Sequence, residues 1–311
     1  MFDSFSEDVF HFAMKNFLGL FMLFSTLLAG CNAASVQKSP TPVITAATFN
    51  LRLAPKPTSN MWPERKDAVG ELIVAHNFDI VGTQEGYLHQ LEDIAKTTGY
   101  KFAGVAREDG KTAGEYSAIF YNPDRLELLK SGDFWFAETP DKPVKGWDAA
   151  CKRICTWGEF KDRRSGAEFF FFSLHFDHIG QVARSESAKL LTSKIKEIAG
   201  GENAVCVGDF NATPESEPMK IIFGDGLLFD SKTASQTRPY GPRGTFHAFT
   251  GVPTFDRIDY ILTTKNVKPL SYAVVSDKIT NFDAQKKSAD GKIRVQYPSD
   301  HFPVVVRLLV K

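Results

Sequence analysis

The chain has 311 residues, 43% hydrophobic and 24% charged, with 23 Gly and 16 Pro, which excludes a disordered, collagen-like or small disulfide-stapled protein and leaves ample apolar material for a core. Its 37 Lys and Arg are matched by 37 Asp and Glu, so the basic footprint of a dedicated duplex-DNA binder is missing. Nucleic acid is left open as a partner without being favoured.

Residues 14–29 begin with Met14-Lys15-Asn16 and continue as an apolar run over 17–29. That is a secretory pattern, too short for the ~20 residues of a membrane-spanning helix. The run ends in Leu28-Ala29-Gly30-Cys31, which resembles a bacterial lipobox whose Cys31 is acylated and becomes the first mature residue. Residues 1–30 thus read as a signal peptide and 31–42 as a polar tether. The acidic start, with Asp3, Glu7 and Asp8, suits no signal, so translation is expected to begin at Met14. The expected product is exported and lipid-anchored through Cys31 to a bacterial membrane, on its periplasmic or cell-surface side. In an oxidising compartment Cys151 and Cys155 are either a disulfide or two unpaired thiols, and Cys206, inside the run Ala204-Val205-Cys206-Val207, reads as core.

No Ser/Pro/Gly-rich linker divides residues 43–311, which read as one domain. Residues 43–51 form an apolar, β-branched strand. Residues 62–77 place Val69, Leu72 and Ile73 at helix spacing, 78–84 are a second buried strand and 87–98 a second helix. Residues 117–121 and 126–129 read as a strand pair turned at Asn122-Pro123-Asp124, and 154–160 with 168–174 as a hairpin across Arg163-Arg164-Ser165-Gly166. A helix over 181–199 closes at Gly200-Gly201, and strands follow at 203–209, 257–262, 272–275 and 304–310. Helices interleave with strands, yet hairpins are frequent. The expected fold is α+β: a four-layer α/β/β/α sandwich of two mostly antiparallel sheets flanked by helices.

Polar residues collect where these apolar runs end: Asn50, Glu85, Glu115, His175 with Asp177 and His178, Asp209 with Asn211, Asp259, and Asp300 with His301. A lone strand-end acid is usually a turn cap; so many in one pattern point to a site on one rim of the sandwich.

The ordered set Thr48-Phe49-Asn50, Gln84-Glu85, His175-Phe176-Asp177-His178, Gly208-Asp209-Phe210-Asn211, Arg257-Ile258-Asp259-Tyr260-Ile261 and Ser299-Asp300-His301 resembles the endonuclease/exonuclease/phosphatase superfamily over residues 43–311. Residues 175–184 match the His-x-Asp-His-x-Gly-x-x-Ala-Arg run of its small secreted bacterial branch. The resemblance implies a metal-dependent phosphoester hydrolase. Its metal site is Glu85 with Asn50 and Asp300, an oxygen set suited to Mg²⁺, with Mn²⁺ as an alternative. Asp209 orients or deprotonates the attacking water and Asn211 holds the phosphate. His175 and His301 donate to phosphate oxygens or the leaving group, oriented by Glu115 and Asp259 respectively. For His301, Asp259 is preferred to Asp256, which reads as a turn residue. His247, in the long loop 235–254, and Arg184 are candidate substrate contacts, Arg184 leaning toward a structural salt bridge, while Trp62 and Arg65 read as packing. A phosphodiesterase is the first expectation. A phosphomonoesterase acting on lipid head groups or sugar phosphates, a secreted nuclease, and a surface-binding lipoprotein without activity are the alternatives. A monomer is expected.

Overall fold

A computed structural model of the protein describes residues 43–254, 256–279 and 297–310. The signal-peptide, tether and Cys31 expectations lie outside the described residues. In chain order the elements are β1 (Val43–Asn50), α1 (Trp62–Ala75), β2 (Ile80–Gln84), α2 (Leu88–Thr98), β3 (Lys101–Ala103), β4 (Ile119–Tyr121), β5 (Leu126–Trp135), β6 (Ile154–Asp162), β7 (Glu168–His175), α3 (Gln181–Ala199), β8 (Ala204–Asp209), α4 (Glu217–Gly224), β9 (Phe229–Asp230), α5 (Ser231–Ala234), β10 (Asp259–Thr263), β11 (Lys268–Val274) and β12 (Val304–Leu309).

They build two six-stranded sheets, ordered β11-β12-β1-β2-β4-β3 and β5-β6-β7-β8-β10-β9. The central strands are apolar throughout because both of their faces are covered. Along β1, Ile44 and Ala46 point into the core between the sheets, where they meet Ile80, Phe171, Val205, Val207 and Val306. The alternate residues Ala47 and Phe49 pack outward with Val69, Leu72, Ile73, Leu91 and Ile94 of α1 and α2. Across the sandwich, Ala204 and Cys206 of β8 face Leu191, Ile195, Met219 and Ile222 of α3 and α4. The period of two thus writes four layers, as expected, and places Cys206 in the core.

Each sheet contains one parallel pairing, β1 with β2 and β7 with β8, among antiparallel neighbours. Those four strands therefore end at one rim. In register, His175 lies opposite Asp209, and Asp209 opposite Asp259 at the start of antiparallel β10.

The expected hairpin between 117–121 and 126–129 does not form. β4 pairs with β2 and β3 in one sheet, whereas β5 pairs with β6 in the other. The turn at Asn122-Pro123-Asp124 carries the chain across. Arg125 fixes that crossing: it is buried, donates to the Val43 carbonyl at 2.9 Å and pairs with Asp162 at 3.1 Å. The strand expected from residue 257 begins at Asp259.

Where the sheets cross, Gly82 has room for no side chain: an added Cβ would lie 2.3 Å from Val207 Cγ2 and 2.7 Å from Ser173 Oγ. Gly82→Ala is expected to destabilise the domain by about 1–3 kcal/mol through overpacking, read as a lower urea midpoint. An unchanged midpoint would contradict so close an approach of the two sheets.

Candidate active site

The shared rim opens into a cavity of about 300 Å³ lined by Glu85, His175, Asp209, Asn211, Asp300 and His301, with Arg52, Arg107, Glu115, Arg153 and Phe246 among the remaining walls. Three of these residues leave their strands in the left-handed region, Arg52 at φ 57°, Glu85 at φ 65° and Asn211 at φ 46°. Such backbone is costly for side chains with a Cβ and concentrates at functional sites. Here it turns each side chain from the strand direction into the cavity.

Asp209, at 2% exposure, is the centre of the arrangement. Its Oδ1 accepts the backbone N–H of Asn211 at 2.9 Å and its Oδ2 accepts Asn50 Nδ2 at 3.1 Å. His175 Nε2 and His301 Nε2 stand 3.6 and 3.8 Å from the same Oδ2. Burial, and then the charge of Asp259, push the Asp209 carboxyl upward, as a general base requires. His301 donates from Nδ1 to Asp259 Oδ2 at 2.9 Å. Burial alone would lower its pKa, but Asp259 and Asp209 raise it to about 10, so His301 is a cation aimed into the site. Asp256 is engaged elsewhere, pairing with Arg243 at 2.6 Å and accepting the N–H of Arg257. The choice of Asp259 over Asp256 is the one the geometry supports.

Loop 235–254 acts by fixing this histidine. His247 N–H donates to the Asp300 carbonyl at 2.8 Å, Phe302 N–H donates to Thr245 at 2.9 Å, and the Phe246 ring lies 5.1 Å from that of His301. His247 itself is not a substrate contact: fully buried, it stacks on Phe302 at 3.9 Å, and burial lowers its pKa to about 4. Arg65, read as packing, grips the carbonyls of Leu51, Arg52, Asn60 and Pro298. One buried guanidinium thereby fixes both the turn after Asn50 and the approach to Ser299-Asp300-His301.

Other expectations are corrected. Glu115 does not orient His175; both its oxygens accept from Arg107 at 2.8 Å. His175 is kept neutral by burial and by Arg153 and Arg107. Since an amide nitrogen can only donate, the 3.0 Å contact with Asn211 Nδ2 makes His175 Nε2 an acceptor. It positions Asn211. Asn50 bridges Glu85 Oε1 and Asp209 Oδ2 through Nδ2 at 3.0 and 3.1 Å while its Oδ1 accepts Arg52 N–H, so it couples the two acids. Among the described residues Arg184 forms no carboxylate pair, and it does not line this cavity; its Nη1 donates to the Asp177 carbonyl at 2.9 Å. Cys151 and Cys155 are free thiols, because Cys155 is buried in β6 whereas Cys151 lies against Asp177.

Arg52, Arg107 and Arg153 carried no signal of their own in the sequence. Arg153 reaches the site through Asp177 and His178, at 3.3 and 2.9 Å. Those two residues did stand out, but a pairing across 24 positions of sequence is not visible in either segment alone.

Among the described residues, two groups have ligand-like spacing. Asp209, Asp259 and His301 bring donor atoms within 4.8 Å of one another, as do Cys151, Asp177 and His178. The second is a poor cation site, since Asp177 already accepts Arg153 and the Ala150 N–H, and Arg153 also donates to His178. On the first side Glu85 adds a carboxylate that burial would raise but that His301, Asn50, the Leu53 N–H and Arg52 hold below its usual range. An ionised Glu85 with Asp300 and Asp209 nearby is a hard oxygen donor set, the kind that fits Mg²⁺ or Mn²⁺.

A profile described as the Endonuclease/Exonuclease/phosphatase family matches residues 47–301. Among solved structures, an endonuclease/exonuclease/phosphatase family protein from Bacteroides thetaiotaomicron is 40% identical, with a TM-score of 0.80 over 87% of this chain and 99% of that one. A mannosyl-6-phosphatase from the same organism is 41% identical, with a TM-score of 0.78 over 85% and 99%. A curated relative, the uncharacterized protein L388 of Acanthamoeba polyphaga mimivirus, is 32% identical over 183 residues, or 55% of this chain, and the match spans only 62% of that protein's length.

Because Asp259 is the hydrogen-bond partner of the His301 ring, Asp259→Asn is expected to lower turnover by about 10²-fold, and Asp256→Asn by no more than about 3-fold. Steady-state kinetics of the folded variants decide the point, and equal or reversed effects would remove Asp259 from its role.

Proposed function

The chain belongs to the endonuclease/exonuclease/phosphatase family, and from that premise we propose that it is a divalent-metal-dependent phosphomonoesterase acting on a small phosphorylated molecule. The observation that carries this reading is the cavity itself. At about 300 Å³ it has the size of a small-molecule site, and the base, the cationic histidine and the metal-binding acids all line it. The family supplies hydrolysis of phosphoesters. The monoester in place of the expected diester is supported by the pocket's size and by the 41% identity to a mannosyl-6-phosphatase.

Glu85 and Asp300, on the other side of Asn50 from Asp209, would hold the cation, which when bound supplies positive charge to the phosphoryl oxygens and so removes the repulsion that protects phosphate esters from water. Asp209, raised toward the pH of use, takes the proton of the attacking water. Asn211 donates both Nδ2 hydrogens, to His175 Nε2 and to the Phe176 carbonyl, each at 3.0 Å, so it would bind a phosphate oxygen by giving up its bond to His175. His301, kept protonated by Asp259, stabilises charge developing on the phosphoryl or leaving oxygen. Such a complete set is more than a surface-binding lipoprotein needs. Export and anchoring through Cys31 remain part of this proposal.

Hydrolysis of p-nitrophenyl phosphate and bis-p-nitrophenyl phosphate, with EDTA and with Mg²⁺ or Mn²⁺ restored, tests the reading. The monoester is expected to exceed the diester by about tenfold or more in kcat/KM. EDTA is expected to abolish turnover, and Glu85→Gln to reduce it by about 10²-fold or more while raising the metal concentration needed for half-activity. Turnover that survives exhaustive chelation, or a preference for the diester, would reject it.

A further inference from the structure

Each of the three guanidiniums at the cavity wall is matched by a carboxylate. Arg52 lies 3.5 Å from Asp300, Arg107 is bidentate to Glu115 at 2.8 Å, and Arg153 is 3.3 Å from Asp177. The first pair includes the proposed metal ligand Asp300, and the third is tied to the loop carrying His178. The Arg107–Glu115 pair belongs to neither group.

This pair is a built feature. Glu115 is buried at 7% exposure. The Arg107 N–H donates to the Glu115 carbonyl at 2.9 Å, Ala106 bridges to Tyr116, and Trp135 Nε1 donates to the Arg107 carbonyl at 2.8 Å. Backbone and indole therefore hold the two side chains in register at the wall. Burying a carboxylate there is costly, and its benefit is not charge for phosphate binding, because Glu115 cancels the charge that Arg107 would offer an anion. A second phosphate, or the polyanionic backbone of a nucleic acid, would meet no unmatched arginine on this wall.

What the pair does offer is hydrogen bonding without net charge. Each Glu115 oxygen keeps a lone pair after accepting from Arg107, and each Arg107 Nη keeps a second hydrogen. An acceptor and a donor side by side match adjacent hydroxyls: one O–H donates to the carboxylate while the neighbouring oxygen accepts from the guanidinium. We infer that the Arg107–Glu115 pair is a specificity-determining wall that reads vicinal hydroxyls, so that the substrate is a monophosphate of a sugar or comparable polyol bearing no second charged group. The inference rests on the phosphomonoesterase reading and narrows it to this class.

The test compares mannose 6-phosphate, mannose 1,6-bisphosphate and p-nitrophenyl phosphate in wild type, Glu115→Gln and Arg107→Lys. Wild type is expected to prefer the monophosphate to the bisphosphate. In Glu115→Gln the kcat/KM ratio of mannose 6-phosphate to p-nitrophenyl phosphate is expected to fall about 10- to 100-fold, mainly through KM, as for loss of a charged hydrogen bond. Activity on the bisphosphate relative to the monophosphate should rise in that variant, because Arg107 is then offset only by the exposed Glu108, 3.5 Å from its Nε. Arg107→Lys keeps the charge but loses the planar fork, so it should lower the same ratio without the gain on bisphosphate, and it carries the test if Glu115→Gln fails to fold. A ratio unchanged in the folded variants, a uniform fall on both substrates, or a wild-type preference for the bisphosphate would overturn the inference while leaving phosphomonoesterase activity standing. Failure of wild type to hydrolyse even p-nitrophenyl phosphate with Mg²⁺ or Mn²⁺ would overturn the underlying reading, and this one with it.

Discussion

A carboxylate buried to 2% exposure at the meeting point of two sheets is the constraint around which this molecule is arranged. Isolating an ionised Asp209 from water costs on the order of several kcal/mol unless hydrogen bonds and positive charge replace the water. The replacements come from separate parts of the chain: Asn50 from β1, the Asn211 backbone just after β8, and His301 from the turn before β12. None of these can be supplied unless both sheets are packed and each of the two parallel pairings is in register. The same groups that compensate the burial hold the side chain where it can accept a proton. Stability and chemistry draw on one set of contacts.

The protein supports this centre with a further layer of buried charge. Arg65 clamps the two turns that carry Asn50 and His301, and Arg125 ties the sheets together beyond the opposite ends of β1 and β4. Asp177 takes N–H groups from Ile179, Gly180 and Ala150, which, against the effect of burial, hold its carboxyl far below the usual range. With Arg153 it fastens two loops into one wall. Loops are the mobile part of most sandwiches; here the ones around the cavity are fixed by ionic and backbone hydrogen bonds, and that rigidity is what a preorganised site requires.

Much of this was legible in the sequence because burial leaves a regular trace. Apolar runs ending in Asn50, Glu85, His175 and Asp209 mark strands whose last residue leaves the core, and parallel pairing then brings those ends to one rim. The order of motifs gave the fold and the His301–Asp259 partnership. The readings that changed were pairings between segments. Glu115 and His175 are both strand-end residues of the right chemistry, yet the short bridge between Ala106 and Tyr116 places Glu115 beside Arg107. His247 has the composition of a site residue but faces Phe302, a matter of which side of a loop is covered. The turn at Asn122-Pro123-Asp124 has hairpin chemistry, and only the competition between two sheets for its flanking strands sends them apart.

Glu85 and Asp300 are proposed as a hard-cation centre beside Asp209. Anomalous diffraction from crystals soaked in Mn²⁺ examines it directly. A peak about 2.1 Å from a Glu85 carboxylate oxygen, in a shell of carboxylates and water, is the result the account predicts. A peak at Cys151, Asp177 and His178 with nothing at Glu85 would contradict it.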